Sequence, residues 1–215
     1  MARLRLQISM SLDGFVAGPD QGPDHPLGVG GLALHEWAFA TRAFHAMTGR
    51  EGGESGLDDA VLTESQQGFG AVVMGRNMFG GGPGGWGDGS WRGWWGDDPP
   101  YHAPVFVLTH HPREPVEMQG GTTFHFVTDG IEAALGSAMD AAGGKDVWLG
   151  GGASTARQYM RAGLLDEIEV HVVPRLLGAG ERLFDHDTGG AQARYEVERF
   201  VSSPAAAHFR MRLTP

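Results

Sequence analysis

Three consecutive glycines, Gly150, Gly151 and Gly152, stand in "DVWLGGGASTARQYMRAG" between an apolar run and a segment of helical pattern. Glycine at such a junction forfeits side-chain packing and costs backbone entropy. A junction built from three of them is a place where the main chain itself can make a close approach. In an open α/β sheet, ligands bind beyond the carboxyl ends of the strands, where helix N-termini point free N–H groups outward and favour anions. Here the helix opens at Ala153, Ser154 and Thr155, which would provide those donors. "GGGAST" departs from the G-x-G-x-x-G pattern, so taken alone the turn serves either a bound phosphate or close packing.

The rest of the chain repeats the strand–helix alternation. "RLRLQIS" places Leu4, Leu6 and Ile8 on one face and Arg3, Arg5 and Gln7 on the other, as in a half-buried strand. A loop dense in Gly and Pro follows. Helical spacing then runs over residues 33–47, with Leu34, Trp37, Phe44 and Met47 near one stripe. "LDDAVLTESQQ" starts a second helix, with Asp58 as its expected cap. "FGAVVMG" is short and β-branched and reads as a buried strand, followed by one helical turn in "RNMF". "APVFVLTHH" and "TTFHFVT" are strands, "GIEAALGSAMDAAGG" a helix, "DVWL" a strand, and "DEIEVHVV" a strand after the helix that opens at Ala153. "ARYEVERFVSS" and "AAHFRMRL" close the chain as an antiparallel pair. This order predicts an α/β fold with a mostly parallel sheet and an antiparallel C-terminal edge. It also predicts one domain over residues 1–215, interrupted only by a Gly/Trp-rich loop at 80–100.

Two further strand ends reinforce the first. "VVMGRNMF" passes from strand through Gly75 to a helix start with Arg76 and Asn77 in its first turn. Arg is disfavoured electrostatically at a helix N-terminus, and an anion docked there would reverse the penalty. The bland alternative is a solvated surface arginine. At the third end, "FVLTHH", Thr109, His110 and His111 would share the same sheet edge and could donate to another phosphate; otherwise the histidines are exposed loop residues.

Composition narrows the classes. The chain of 215 residues carries a net charge of −10, which argues against a general nucleic-acid binder. It has no cysteine, which removes disulfides, thiolate chemistry and Cys-ligated metals and fits a reducing cytoplasm. No apolar run approaches the ~20 residues of a membrane span, and "MARLRLQISMS" alternates rather than forming an export signal. Lys145 is the single lysine and sits in a turn pattern.

In this order, "ISMSLDGFVAG", "VVMGR", "VWLGGGAST" and "DEIEVHVVPRLLGAGERLF" resemble the dihydrofolate-reductase-like superfamily. The branch most similar contains the reductase domain of the bifunctional riboflavin-biosynthesis deaminase–reductase. The resemblance spans nearly the whole chain and implies an NADPH-dependent reductase of a small heterocyclic substrate. It implies that Gly75, Arg76 and Asn77 contact the cofactor's phosphates, that Thr109 and His110 take its 2′-phosphate, and that Gly150 to Thr155 hold the diphosphate, with a cis Gly150–Gly151 peptide. Val16 and Ala17 would line the nicotinamide. Asp13, in "SLDG", would hydrogen-bond or protonate substrate at the mouth of the site, or else cap its own Asp-Gly turn. Glu36 lies where dihydrofolate reductases carry a carboxylate on the first helix, next to Trp37. The riboflavin-type relatives suggest a homodimer. Without cysteines for a deaminase zinc site, these residues are not expected to form the complete bifunctional enzyme. Two alternatives stay open: a non-catalytic NADP(H)-binding or sensor protein, and a true dihydrofolate reductase.

The remaining clusters read more plainly. "LHEWAFA" lacks the second histidine of H-E-x-x-H, so no metal is expected there. "FDHDT" is expected to form an acidic turn. Trp86, Trp91, Trp94 and Trp95 crowd one glycine-rich loop, and exposing all four would create an apolar patch. They are expected to form a wall or lid over a substrate pocket, with Trp86 in contact with substrate, or else to pack at a subunit interface.

Overall fold

The computed structural model describes residues 2–22, 24–82, 84–184 and 194–214. Its elements are β1 (Leu4–Ser11), β2 (Phe15–Ala17), a 3₁₀ turn (Gly31–His35), α1 (Glu36–Phe39), α2 (Arg42–Met47), α3 (Leu57–Ser65), β3 (Phe69–Gly75) and α4 (Arg76–Phe79). There follow β4 (Pro104–Leu108), β5 (Val116–Glu117), β6 (Thr123–Val127), α5 (Ile131–Ala141), β7 (Asp146–Gly151) and α6 (Ala153–Arg161). The chain closes with β8 (Glu167–Val173), β9 (Glu181–Arg182), β10 (Tyr195–Ser202) and β11 (Ala207–Leu213).

Nine strands form one sheet in the order β10-β11-β8-β1-β7-β3-β4-β6-β5. The six from β8 to β6 run parallel. Antiparallel strands finish both edges, β11 and β10 at one and β5 at the other. The C-terminal antiparallel edge matches the expectation; the short β5 lies in a segment of no strand pattern. The path β1, β3, β4, β6 runs outward in one direction, then α5 returns the chain so that β7 inserts between β1 and β3. A topological switch therefore falls at β7, the strand that ends in the glycines.

The central strands are buried on both faces, as parallel strands between two layers must be. Ala71 and Val73 face Ala134, Ala138, Ala156 and Tyr159 of α5 and α6. Val72 and Met74 face the other side, toward Phe79 and Phe124. Over β3, β4 and β6 that second face is covered by Phe79 of the short α4 and by the Gly/Trp-rich segment, with Trp86, Trp91, Trp95 and Tyr101 packed on Phe79, Phe124 and Phe126. The tryptophans thus have a packing role in the second core layer.

The helix expected over 33–47 divides into the 3₁₀ turn, α1 and α2. The break falls at Thr41, which adopts an extended conformation, caps α2 by accepting from the Phe44 N–H, and bridges to Glu54. Asp58 is not the cap of α3. That position is Gly56, while Asp58 lies in the first turn and accepts from Ser203 Oγ and the His208 ring. Residues 185–188 of the expected acidic turn lie outside the described residues.

Candidate active site

A cleft of about 700 Å³ opens at the carboxyl ends of β1, β3, β4 and β7. Parallel pairing of β3 with β7 sets Met74 beside Gly151, so the two glycine corners are neighbours. Their contact is close: a Cβ on Gly75 would stand 2.3 Å from Thr155 Oγ1. The peptide between Gly151 and Gly152 is cis, one residue after the position the resemblance implied. α6 begins immediately afterwards, with no side chain capping its N–H groups. Its first-turn donors therefore face the cleft, bordered by Gly150, Gly152, Ala153, Ser154 and Thr155.

Gly75, Arg76, Asn77, Thr109 and His110 border the same cleft from the ends of β3 and β4, and Val16 and Ala17 border it from β2. The groups fit a dinucleotide phosphate chain on three local observations. The missing side chain of Gly75 makes room for Thr155 Oγ1 and brings the first turn of α6 against the end of β3. The first turn of α6 is uncapped, and Arg76 Nε and Nη1 are buried without a hydrogen-bond partner among the described residues. Burial, and then repulsion from Arg113, lowers the Arg76 pKa from its usual value, the direction an approaching anion would reverse.

Four predicted site residues fall elsewhere. The Asp13 carboxylate, which would have to face substrate, is engaged by its own chain. It accepts from Ser11 Oγ at 2.6 Å, from the Leu177 N–H at 3.1 Å and from the Gly178 N–H at 2.7 Å. The Ser11 bond, with help from those two amides, holds its pKa down at about 2. Asp13 therefore ties the β1–β2 turn to the segment after β8. Glu36 and Trp37 border a separate cavity of about 360 Å³ on the far side of the 3₁₀ turn. Glu36 pairs with Arg175 there at 3.0 Å, while Trp37 is buried and donates to Ser9 Oγ at 2.9 Å. Trp86 packs behind the cleft, its ring under the Arg76 guanidinium at 3.5 Å and its Nε1 donating to the His111 carbonyl.

Other residues do border the cleft. Trp94 and Trp95 form the wall expected of Trp86, with Ile8, Leu27 and Met78. Trp94 reaches it because Gly80 has no side chain: a Cβ there would meet the Trp94 ring at 2.5 Å. His35 is a further titratable group bordering the cleft, with His111 and Glu181. Its Nδ1 is buried and unpartnered among the described residues, and burial lowers its pKa. The available signal was the step from Leu34 to Trp37: if both point to the core, the intervening His35 and Glu36 must diverge to different sides. Among the described residues no His/Asp/Glu group is arranged to hold a metal, and no helix is long and apolar enough to cross a membrane.

The sequence profile of the RibD C-terminal domain matches residues 2–201. Over 41 residues the chain is 46% identical to the uncharacterized protein YyaP of Bacillus subtilis (strain 168), covering 19% of this chain and 22% of that protein. The match thus spans about a fifth of that relative's length. Among solved structures, a protein provisionally assigned to riboflavin biosynthesis from Shewanella sp. PV-4 superposes with a TM-score of 0.61 at 20% identity, covering 100% of both chains. The diaminohydroxyphosphoribosylaminopyrimidine deaminase/5-amino-6-(5-phosphoribosylamino)uracil reductase of Thermotoga maritima gives 0.56 at 13% identity, over 99% of this chain and 57% of that one. Dihydrofolate reductase from Enterococcus faecalis, complexed with NADP(H), gives 0.53 at 13%, over 99% and 97%. At these identities the likeness is one of fold.

Proposed function

The chain belongs to the RibD C-terminal domain family, and from that premise we propose that it is an NADPH-dependent reductase of a small heterocyclic substrate, similar to 5-amino-6-(5-phosphoribosylamino)uracil reductase. The observation that carries this reading is the pairing of β3 with β7, which sets the Gly75 corner beside the Gly150–Gly152 corner from which α6 begins. The cofactor would supply a hydride from its dihydronicotinamide ring.

This chain's own residues bind, orient and dehydrate. Gly152, Ala153, Ser154 and Thr155 present main-chain donors to a diphosphate, favoured by the positive end of α6. Arg76 would add positive charge from the β3 corner, and Thr109 and His110 would add hydrogen-bonding groups from the end of β4. Val16 and Ala17, which border the cleft from β2, would line the nicotinamide. Trp94, Trp95, Leu27 and Ile8 exclude water from the reacting face, and aromatic walls suit a planar heterocycle. Positioning of this kind contributes much of the rate in a hydride transfer, because the cofactor carries the hard chemistry.

Titrating the protein with NADPH while following nicotinamide fluorescence tests the reading. Saturable one-to-one binding is expected, and no binding at millimolar cofactor would remove it. The engagement of Asp13 by its own chain favours a second reading, a cofactor-binding protein without turnover. NADPH consumption across pterins, pyrimidinones and quinones separates the two.

A further inference from the structure

A single permanent cation borders the cleft. Among the described residues that line it, Arg76 alone is a Lys or Arg, and Glu181 alone is an Asp or Glu. Residues 1, 23, 83, 185–193 and 215, which lie outside the described residues, contain neither Lys nor Arg. Arg76 opens α4 at the end of β3, the strand that pairs with β7 beside the start of α6. The cofactor's phosphates would take that charge, and a second anion in the cleft would find none.

The nicotinamide end of the cleft is built around Ala17. Gly31, which opens the 3₁₀ turn, packs against it: a Cβ on Gly31 would stand 3.7 Å from Ala17 Cα and 3.2 Å from Leu27 Cβ. His35 ends the same turn, and Glu181 is the partner of Ala17 in the pairing of β2 with β9. Leu27, His35 and Glu181 therefore adjoin the place where the reacting ring would lie, and Trp94 and Trp95 border the cleft from the loop after α4. His35 Nδ1 is buried without a partner among the described residues. Burial also lowers the pKa of that ring, so it is uncharged at neutral pH. This end thus offers apolar and aromatic surface, one free polar atom on a neutral ring, and one negative charge. A phosphate drawn into it would lose water with no cation in return and with Glu181 as a neighbour, which is costly. An uncharged planar ring would gain from the same surface.

We propose that the substrate is an uncharged planar ring compound carrying no phosphate, with His35 Nδ1 as its hydrogen-bonding contact and Leu27, Trp94 and Trp95 as its apolar surface. The inference rests on the reductase reading and names the substrate class for it. It separates this chain from the Thermotoga maritima enzyme, whose named activity is on a phosphoribosyl compound. Hydride transfer is common to both; the phosphate is not.

The test measures dissociation constants by calorimetry on protein saturated with NADP⁺. The probes are pterin, menadione, 5-amino-6-ribosylaminouracil and the 5′-phosphate of this last compound. The tightest of the three phosphate-free probes should bind at least tenfold more tightly than the phosphate. The phosphate should also bind no more tightly than its own phosphate-free form. A phosphate that binds within tenfold of the best probe, or better than its phosphate-free form, would overturn the proposal, as would binding by none of the four. His35→Phe should weaken the tightest probe about three- to tenfold, the range of a neutral hydrogen bond, and leave NADPH affinity and the circular dichroism spectrum unchanged. His35→Gln, which retains a hydrogen-bonding group, should keep most of the affinity. Unaltered probe binding in His35→Phe, or an equal loss of NADPH binding, would overturn the proposal while the wild-type affinity for NADPH leaves the reductase reading intact. If wild type does not bind NADPH, the reductase reading falls and the proposal with it.

Discussion

Gly75 and Thr155 stand so close that no side chain fits between them: a Cβ at position 75 would meet Thr155 Oγ1 at 2.3 Å. Gly75 has an ordinary extended backbone, φ −80° and ψ 159°, so glycine is required there by space and not by conformation. Gly75 ends β3, and Thr155 stands in the first turn of α6, the helix that follows the adjacent parallel strand β7.

Gly75→Ala should therefore destabilise the protein by about 1–3 kcal/mol, the usual cost of overpacking. Thr155→Ala removes the oxygen that the new methyl group would strike. In the double variant most of the loss should return, giving a coupling energy on the order of 1 kcal/mol or more in urea unfolding. Additive losses would mean that the corners do not touch.

Ser154 separates a ligand-binding corner from a packing corner. It is exposed in the first turn of α6. A carboxylate there interacts favourably with the helix dipole, so Ser154→Asp should stabilise the cofactor-free protein by roughly 0.3–1 kcal/mol. The same charge opposes a diphosphate. NADPH affinity should fall at least tenfold while the midpoint of thermal unfolding rises.

Asp13 predicts a pH effect of definite sign. Its folded pKa is about 2, below the unfolded value of about 3.9. Its contribution is fully present above the unfolded value and is lost as pH falls through the folded one. Asp13→Asn should be less stable than wild type by a constant amount between pH 5 and 7. The gap should narrow below pH 4, as measured by urea titrations at pH 6, 4 and 3.

A buried histidine pair predicts the opposite end of the acid range. His171 Nδ1 and His208 Nδ1 lie 2.8 Å apart, and His208 Nε2 lies 2.9 Å from Asp58 Oδ1. The His171 ring is thus enclosed between the His208 ring and Gln7 Nε2 at 3.3 Å. Burial, then the neighbouring His208, pushes the His171 pKa well below 6.5. The unfolded chain protonates His171 near pH 6.5 and the folded chain does not, so stability falls as pH drops below that value, by at most about 1.4 kcal/mol per unit. Urea unfolding between pH 7.5 and 5.5 should show the decline, and His171→Gln should flatten it.

Much of this architecture was legible because period and burial agree along the central strands. "FGAVVMG" and "DVWL" are too apolar to sit anywhere but a two-sided layer, and the glycines that follow them mark the ends where the cleft lies. The residues 33–47 were less legible. Their apolar stripe is continuous, but Thr41 prefers a cap and a bridge to Glu54, and tertiary contacts interrupt the helix. The substrate side was least legible. Whether Asp13 faces a ligand or its own chain depends on where Leu177 and Gly178 return, more than 160 residues later. Trp94 was separated from Trp86 only by the room that Gly80 leaves.

A crystal structure with NADP⁺ bound tests the central claim most directly. The account predicts the diphosphate within hydrogen-bonding distance of the main-chain N–H groups of residues 152–155, beside Gly75, with Arg76 turned toward the phosphates. A nucleotide bound elsewhere, or a diphosphate held only by side chains with α6 facing away, would contradict it.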